Sequence, residues 1–499
     1  MKVLLVPLDE RPCNAKFPLL VAESSEDIEL LEPPQELFGY KKSPADVQNL
    51  SEWVIANACE ADAMVIALDS LVYGGLIPSR IHYDDIDTLE ARLNVVKDVR
   101  RKNPRIKIYA FSTVMRAPTY NSSEEEPDYY AQYGADLFLR RTLMDKKDRG
   151  LLLEGDLDQL DSIVIPSTVI RDYETRREIN LTLNQLVLKL VKSGDIDYVV
   201  FPQDDSSPFG YTAQAQRKLA QAIASSGVRS HVGIYPGSDE VGLTLLSHAV
   251  CALRNEKPSI SVHYVSTLGP GIVPRYEDRP MYESLKAHIR AAGARIADSS
   301  EKADIELMIN SPGKTMQEAQ YSLVKRDLTY DTYRNLSEFV NTIVDYADQG
   351  RKIAVCDSAY SNGGDPQLIA MMDECGIISS ISSYAGWNTN CNTLGNTLSQ
   401  AILAQDTNAN VQRNLAYRLI EDVFYQTFVR WQLDEEILDH GGSYTNVSSC
   451  LDWARSCGRE KLQSMYDALS FAVGMPMSID SVDFPWERLF EINIDIHHV

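Results

Sequence analysis

Ten short apolar runs, most of them rich in β-branched residues, recur along this 499-residue chain. They are VLLVPL (3–8), IELL (28–31), AMVIAL (63–68), IKIYAFST (106–113), YVVFPQ (198–203), HVGIYP (231–236), ISVHYVS (260–266), IELMIN (305–310), KIAVC (352–356) and IISSISSYA (377–385). A run without polar alternation suits a strand buried on both faces, the situation of a parallel sheet. Helical spacing fills 86–101, 172–193, 212–226, 239–254, 281–293, 331–348, 366–374 and 392–405. Strand and helix in alternation predict α/β layering.

Ten strands exceed one eight-stranded barrel. A break at NEKPS (255–259) predicts an N-terminal parallel β/α domain over 1–257, barrel-like or doubly wound, and a smaller doubly wound α/β domain over 258–405. Residues 406–499 lose the strand pattern and read as a helical C-terminal region. Within it RNLAYRLIEDVFYQTFVRWQLD (413–434) predicts a long amphipathic helix.

A net charge of −23 argues against a nucleic-acid or anionic-membrane surface, which needs a basic patch. No stretch reaches the ~18–20 apolar residues of a membrane span, and the opening MKVLLVPLDERP is too short an apolar run for a signal peptide. The eight cysteines form no C-x-x-C pair and several sit in apolar runs, as buried free thiols do. A cytoplasmic protein acting on a small molecule or oligosaccharide is expected.

Parallel α/β folds bind ligands at the carboxyl ends of their strands, and unusual polar residues gather there. After 3–8 come Asp9 and Arg11, and after 63–68 come Asp69 and Arg80. Arg116 and the acids of VMRAPTYNSSEEEPDYY (114–130) follow 106–113, and Asp204-Asp205 follow 198–203. Strand 352–356 leads to Asp357, Asn362 and Asp365, and 377–385 to Trp387, Asn388, Asn390 and Asn392. Single acids at such ends are commonly helix caps, and Asp239-Glu240 reads as a helix start. Six acidic ends on one rim would instead perturb carboxyl pKa values and suit a metal or paired acids and bases. The arginines either neutralise that rim or grip a carboxylate or phosphate.

FPQDDSSPFG (201–210) is the sharpest constellation. Adjacent carboxylates on an extended chain face opposite ways, so a turn is needed to bring both to one side at different depths. One would then stay ionised while the other is held protonated, the division of labour in glycosidases. In YAGWNTNCNTLGNTL (384–398), Tyr384 and Trp387 offer an apolar platform and the asparagines offer amides matching sugar hydroxyls. The alternative is that Asn388 or Asn390 caps the next helix while Trp387 packs in the core.

The eight histidines show no H-E-x-x-H or other compact ligand set, so no zinc site is expected. Neither G-x-G-x-x-G, a Walker loop nor G-x-S-x-G occurs. Asp9, Asp69, Asp204 and Asp357 remain an oxygen-ligand set for Mg²⁺ or Mn²⁺.

Taken together, VPLDERPCN (6–14), DSLVYGGLIPSR (69–80), NGGD (362–365) and the asparagine stretch resemble an uncharacterised bacterial domain-of-unknown-function family over most of the chain. That resemblance implies a bacterial cytosolic protein and no particular activity. Asp204-Asp205 also resembles the aspartate pair of hexosaminidases of the hyaluronidase and O-GlcNAcase type. There the second acid serves the leaving group and the first orients the acetamido group.

The leading expectation is a carbohydrate-active enzyme, a glycoside hydrolase with Asp204 and Asp205 catalytic. Asp9, Arg11, Asp69, Arg80, Arg116, Asp357, Asn362, Trp387, Asn388, Asn390 and Asn392 would bind substrate, with no cofactor. The alternatives are a divalent-metal hydrolase or isomerase using the same aspartates, and a non-catalytic sugar-binding protein.

Overall fold

The computed structural model describes all residues, Met1–Val499. By internal contacts they fall into two compact units. The first comprises Met1–Glu10, Glu29–Leu245 and Tyr276–Asp278, and the second Arg11–Ile28, Leu246–Arg275 and Arg279–Val499.

Six runs of the first unit become β1 (Lys2–Val6), β2 (Glu29–Leu31), β3 (Ala63–Ala67), β4 (Lys107–Phe111), β5 (Tyr198–Gln203) and β6 (Val232–Pro236). They pair in parallel in the order β2-β1-β3-β4-β5-β6. The sheet is open, which settles the barrel-like alternative in favour of a wound sheet. Val3–Val6 and Ala63–Ala67 are almost wholly excluded from solvent, as strands covered on both faces must be. Each buried Val, Leu or Ile there contributes about 1.5–3 kcal/mol of transfer free energy. The sequence order reverses between β1 and β3, so the residues after these two strands flank the switch point at which such sheets receive ligands.

The second unit carries β7 (Ser259–Tyr264), β8 (Arg295–Ile296), β9 (Ile305–Asn310), β10 (Gln317–Glu318), β11 (Ile353–Asp357), β12 (Tyr360–Ser361), β13 (Ser383–Ala385), β14 (Met477–Asp483) and β15 (Asn493–His498). Its main sheet is parallel in the order β13-β11-β9-β7-β8, which repeats the winding of the first unit's leading five strands. Val355 of β11, Leu415 and Ile479 belong to one hydrophobic core, so residues beyond 405 are built into this unit.

Helices agree with the periodicity at Pro366–Glu374, Tyr211–Ser226, Val241–Arg254 and Asn390–Leu403. The longest, Ser167–Ser193, ends at Gly194, whose φ of +82° closes the last turn in a region where other residues are strained. Two corrections arise near the C-terminus. The helical stretch through 413–434 is buried on nearly all sides from Asn414 to Arg430 rather than amphipathic, and its middle, Leu419–Val429, is π-helical. The helical region then ends in the antiparallel hairpin β14–β15. No helix is long and apolar enough to cross a membrane.

Candidate functional site

At the end of β5 the chain passes through Asp204 and turns at Asp205, whose φ of +45° lies in the left-handed region. That turn is the departure from extended backbone needed for two successive carboxylates to engage neighbouring groups. Asp204 Oδ2 accepts from Arg80 Nη2, and Asp205 Oδ2 accepts from Arg116 Nη1 at 3.3 Å. Arg80 comes from the short helix Leu76–Ile81 beyond β3, and Arg116 from the loop after β4. The neighbouring switch-point and β4 loops therefore deliver the two cations to the β5 carboxylates.

Two glutamates complete the cluster. Glu125 lies 3.0 Å from Arg80 Nη1 and 2.9 Å from Arg116 Nη2. Glu126 accepts from Arg116 Nε at 2.9 Å and stands 3.7 Å from Arg80. Its other oxygen, Oε2, is buried without a hydrogen-bond partner. The cluster is layered by exposure: the side chains of Arg80 and Glu126 are each 2 % exposed, whereas that of Asp205 is 35 % exposed. Four carboxylates thus face two guanidinium groups, with Glu126 buried as deeply as Arg80 and Asp205 the outermost.

Electrostatics follow that layering. Removal from water, together with the Asp204 charge, pushes the Asp205 carboxyl up to about 6, against the opposing pull of Arg116. Burial also raises Glu126, with Arg116 and Arg80 opposing. Burial disfavours the charge on both arginines, but the surrounding carboxylates outweigh it and raise them further.

Asp69 sits beneath the switch point and is buried. It accepts from the Thr113 amide at 2.9 Å and the Thr113 hydroxyl at 2.6 Å, tying the end of β3 to the end of β4. Burial raises its carboxyl, and the Thr113 bonds oppose. Asp9, beyond β1, is buried in the same unit. Glu240, directly before the helix Val241–Arg254, is also buried, and its Oε2 accepts from the Thr244 hydroxyl at 3.0 Å.

The other predicted site residues belong to the second unit. Arg11 stands 3.8 Å from Glu491 and its guanidinium lies 4.5 Å from the centre of the Trp486 ring. Asp357 accepts from Asn310 Nδ2 at 2.9 Å, the Asp365 amide at 2.6 Å and the Tyr384 hydroxyl at 2.8 Å. Burial and the Asp365 charge push it up to about 7. Asp365 caps the helix Pro366–Glu374 and pairs with Arg334 at 2.8 Å. The network is closed around Asp357 and Asp365, while Arg334 keeps one buried nitrogen, Nη2, without a hydrogen-bond partner.

Around Trp387 the structure corrects the expected platform. Trp387 is 1 % exposed and meets Phe17 edge to face at 6.0 Å, so it is core. Tyr384 is likewise buried and spends its hydroxyl on Asp357. The helix Asn390–Leu403 is capped by Thr389, not by Asn388 or Asn390. Asn388 and Asn362 both adopt left-handed backbone, with φ of +61° and +57°, and the Asn362 amide donates to the Asn388 carbonyl at 2.8 Å. Asn390 and Asn392 are buried in the first helical turn.

Of the two readings open for Arg80 and Arg116, the structure shows neutralisation of the acidic rim, since their donors pair with carboxylates. Glu125 and Glu126 were not singled out by sequence reasoning. Nothing in TYNSSEEEPDYY distinguishes its acids from one another, and only contact with Arg80 and Arg116 reveals that two of them turn inward. No group of three or more His, Cys, Asp or Glu side chains has a geometry that would hold a metal ion.

The family model described as "Protein of unknown function (DUF4127)" matches residues 3–495. No curated protein matches. Among solved structures, a complete multifunctional pyruvate carboxylase from Rhizobium etli aligns with 94 % of this chain and 36 % of that chain at 10 % identity and a TM-score of 0.15. That likeness carries no argument about fold or function.

Proposed function

This chain belongs to the DUF4127 family of proteins of unknown function, and we propose that it is a carbohydrate-active enzyme, a glycoside hydrolase working at the end of β5. Asp205 is the general acid. Asp204, bound to Arg80, is its carboxylate partner, acting as base or as stabiliser of the cationic transition state.

One observation carries the reading. Asp205 turns out of β5 directly after a second carboxylate, is the most exposed acid of the cluster, and is held by Arg116 while Asp204 is held by Arg80. Partial burial and the Asp204 charge push its carboxyl up, toward the range in which it can hold a proton and release it. Adjacent acids with environments this different are what acid–base division of labour requires. The substrate is uncharged or positively charged at the point of contact, because both arginines are occupied and the outer layer is acidic.

Turnover of a panel of aryl glycosides tests this. Asp205→Asn is expected to lower kcat by about 10²–10⁴-fold with an unchanged circular dichroism spectrum, the usual size of a general-acid contribution. Full activity in that variant, or no turnover by the wild type of any member, overturns the proposal.

A further inference from the structure

We propose that Arg177, on the buried face of the helix Ser167–Ser193, is a positioning residue of the β5 site: its guanidinium holds the backbone from which Arg116 reaches Asp205. What that placement does for catalysis rests on the glycosidase reading above; the placement itself does not.

The first ground is where the donors go. Arg177 Nη1 donates to the Arg116 carbonyl and Nη2 to the Met115 carbonyl, each at 2.6 Å. Tyr173, one turn earlier on the same helix face, donates its hydroxyl to the Arg116 carbonyl at 3.3 Å. Both residues therefore grip main-chain oxygens, which fix the point where the Arg116 side chain sets out. That side chain makes three bonds to carboxylates, at 2.9, 2.9 and 3.3 Å, and the longest is the one to Asp205. A small displacement of the Arg116 backbone breaks that bond first.

The second ground is the charge. Arg177 is buried and forms no ion pair: its bonds go to two carbonyls and the Tyr173 hydroxyl, and its guanidinium lies 5.3 and 5.0 Å from the ring centres of Tyr173 and Tyr211. A buried cation without a carboxylate partner is destabilising. Tying down a loop does not require one, because on the same helix Asn180 holds the Ser79 carbonyl at 2.8 Å and Asn184 the Thr113 carbonyl at 3.1 Å. What an arginine adds is a rigid planar fork that spans two successive carbonyls, a geometry neither an amide nor an ammonium reproduces.

Carbon-13 titration of the Asp205 carboxyl in the full chain tests the inference, with Asp205→Asn assigning the resonance. The charged groups facing that carboxyl are Arg116, Asp204, Arg80 and Glu125, and Arg116 is the one Arg177 holds. Releasing Arg116 weakens its pull on the carboxylate. Arg177→Gln is therefore expected to raise the midpoint by about 0.5–1 pH unit, a part of the ~1–3 that an adjacent cation commands. Arg177→Lys keeps the charge and loses the fork, and should raise it as far. Tyr173→Phe removes one bond to the Arg116 carbonyl and should raise it less. Leu188→Ala, a core change three turns along the same helix, lowers stability and should leave the midpoint in place.

An unmoved midpoint in Arg177→Gln overturns the inference. So does its restoration by Arg177→Lys, which assigns the effect to charge at a distance, or an equal rise in Leu188→Ala, which assigns it to lost stability. Where the Arg177 variants do not fold, an unmoved midpoint in Tyr173→Phe overturns it instead. None of these readouts needs turnover. A wild type that hydrolyses no glycoside sinks the glycosidase reading and leaves the positioning to stand on the titration. If it does hydrolyse one, the basic limb of the kcat/KM–pH profile should rise with the Asp205 midpoint in Arg177→Gln. A limb that stays while the carboxyl moves removes Asp205 from the role of general acid and keeps the positioning.

Discussion

Arg116 reaches Asp205 through Nη1 at 3.3 Å while its Nη2 and Nε hold Glu125 and Glu126 at 2.9 Å each. One guanidinium therefore both restrains the titration of the exposed acid and neutralises the acid beneath it. Removing a positive charge favours the neutral form of Asp205, so Arg116→Gln is expected to raise its pKa from about 6 by about 1–3 pH units. A general acid is active while protonated, so the basic limb of the kcat/KM–pH profile should move upward by the same amount. Carbon-13 titration of the Asp205 carboxyl checks the assignment directly. The substitution also leaves Glu126 buried with less compensation, and should cost about 3–5 kcal/mol in denaturant unfolding.

Asp357 gives the second unit a pH dependence of opposite use. Its folded pKa of about 7 lies above the ordinary 3.8, so between these values the folded state keeps a proton that the unfolded chain has released. The contribution of that proton to stability is fully present below about 3.8 and is lost as pH rises through about 7. Melting temperatures across this range should fall with pH in the wild type, and that part of the slope should vanish in Asp357→Asn. An unchanged slope in the variant would assign the dependence to other groups.

The strands were legible and the site only partly so, for reasons visible in particular residues. All ten apolar runs contain strands; in β1, β3 and β11 burial on both faces explains the unbroken apolar residues, whereas β2 and β6 lie at the sheet edges and are partly exposed. Arg295–Ile296 is too short to register, and β14 and β15 escaped because MSIDSVD and NIDIHH alternate with charge. Asp204 and Asp205 stood out by their position after β5, yet nothing in the sequence pairs Arg80 with a residue 124 positions away. Asparagines signal turns and ligands equally well, since both need amides. Only burial separates the two readings at Asn390 and Asn392.

Trp387 distinguishes a core residue from a ligand platform. Its ring packs on Phe17 within the second unit's core, so Trp387→Ala removes a large buried volume. A loss of about 3–5 kcal/mol in urea unfolding is expected. Where the variant remains folded, kcat and KM should match the wild type, because the ring offers no surface to substrate. A raised KM at undiminished stability would restore the platform role.

Asn388 is where backbone conformation, not side-chain chemistry, explains an asparagine. At φ +61° an asparagine is tolerated, glycine is unstrained, and a β-branched side chain clashes with its own carbonyl oxygen. Its carbonyl accepts the Asn362 amide, itself at φ +57°, so the two loops lock each other through backbone atoms that substitution leaves in place. Asn388→Gly should therefore keep stability within about 0.5 kcal/mol and keep activity, whereas Asn388→Val should cost about 1–2 kcal/mol. Thermal unfolding of the pair measures the difference. If glycine costs as much as valine, the amide side chain makes a contact that matters, and a ligand or partner for it must be sought.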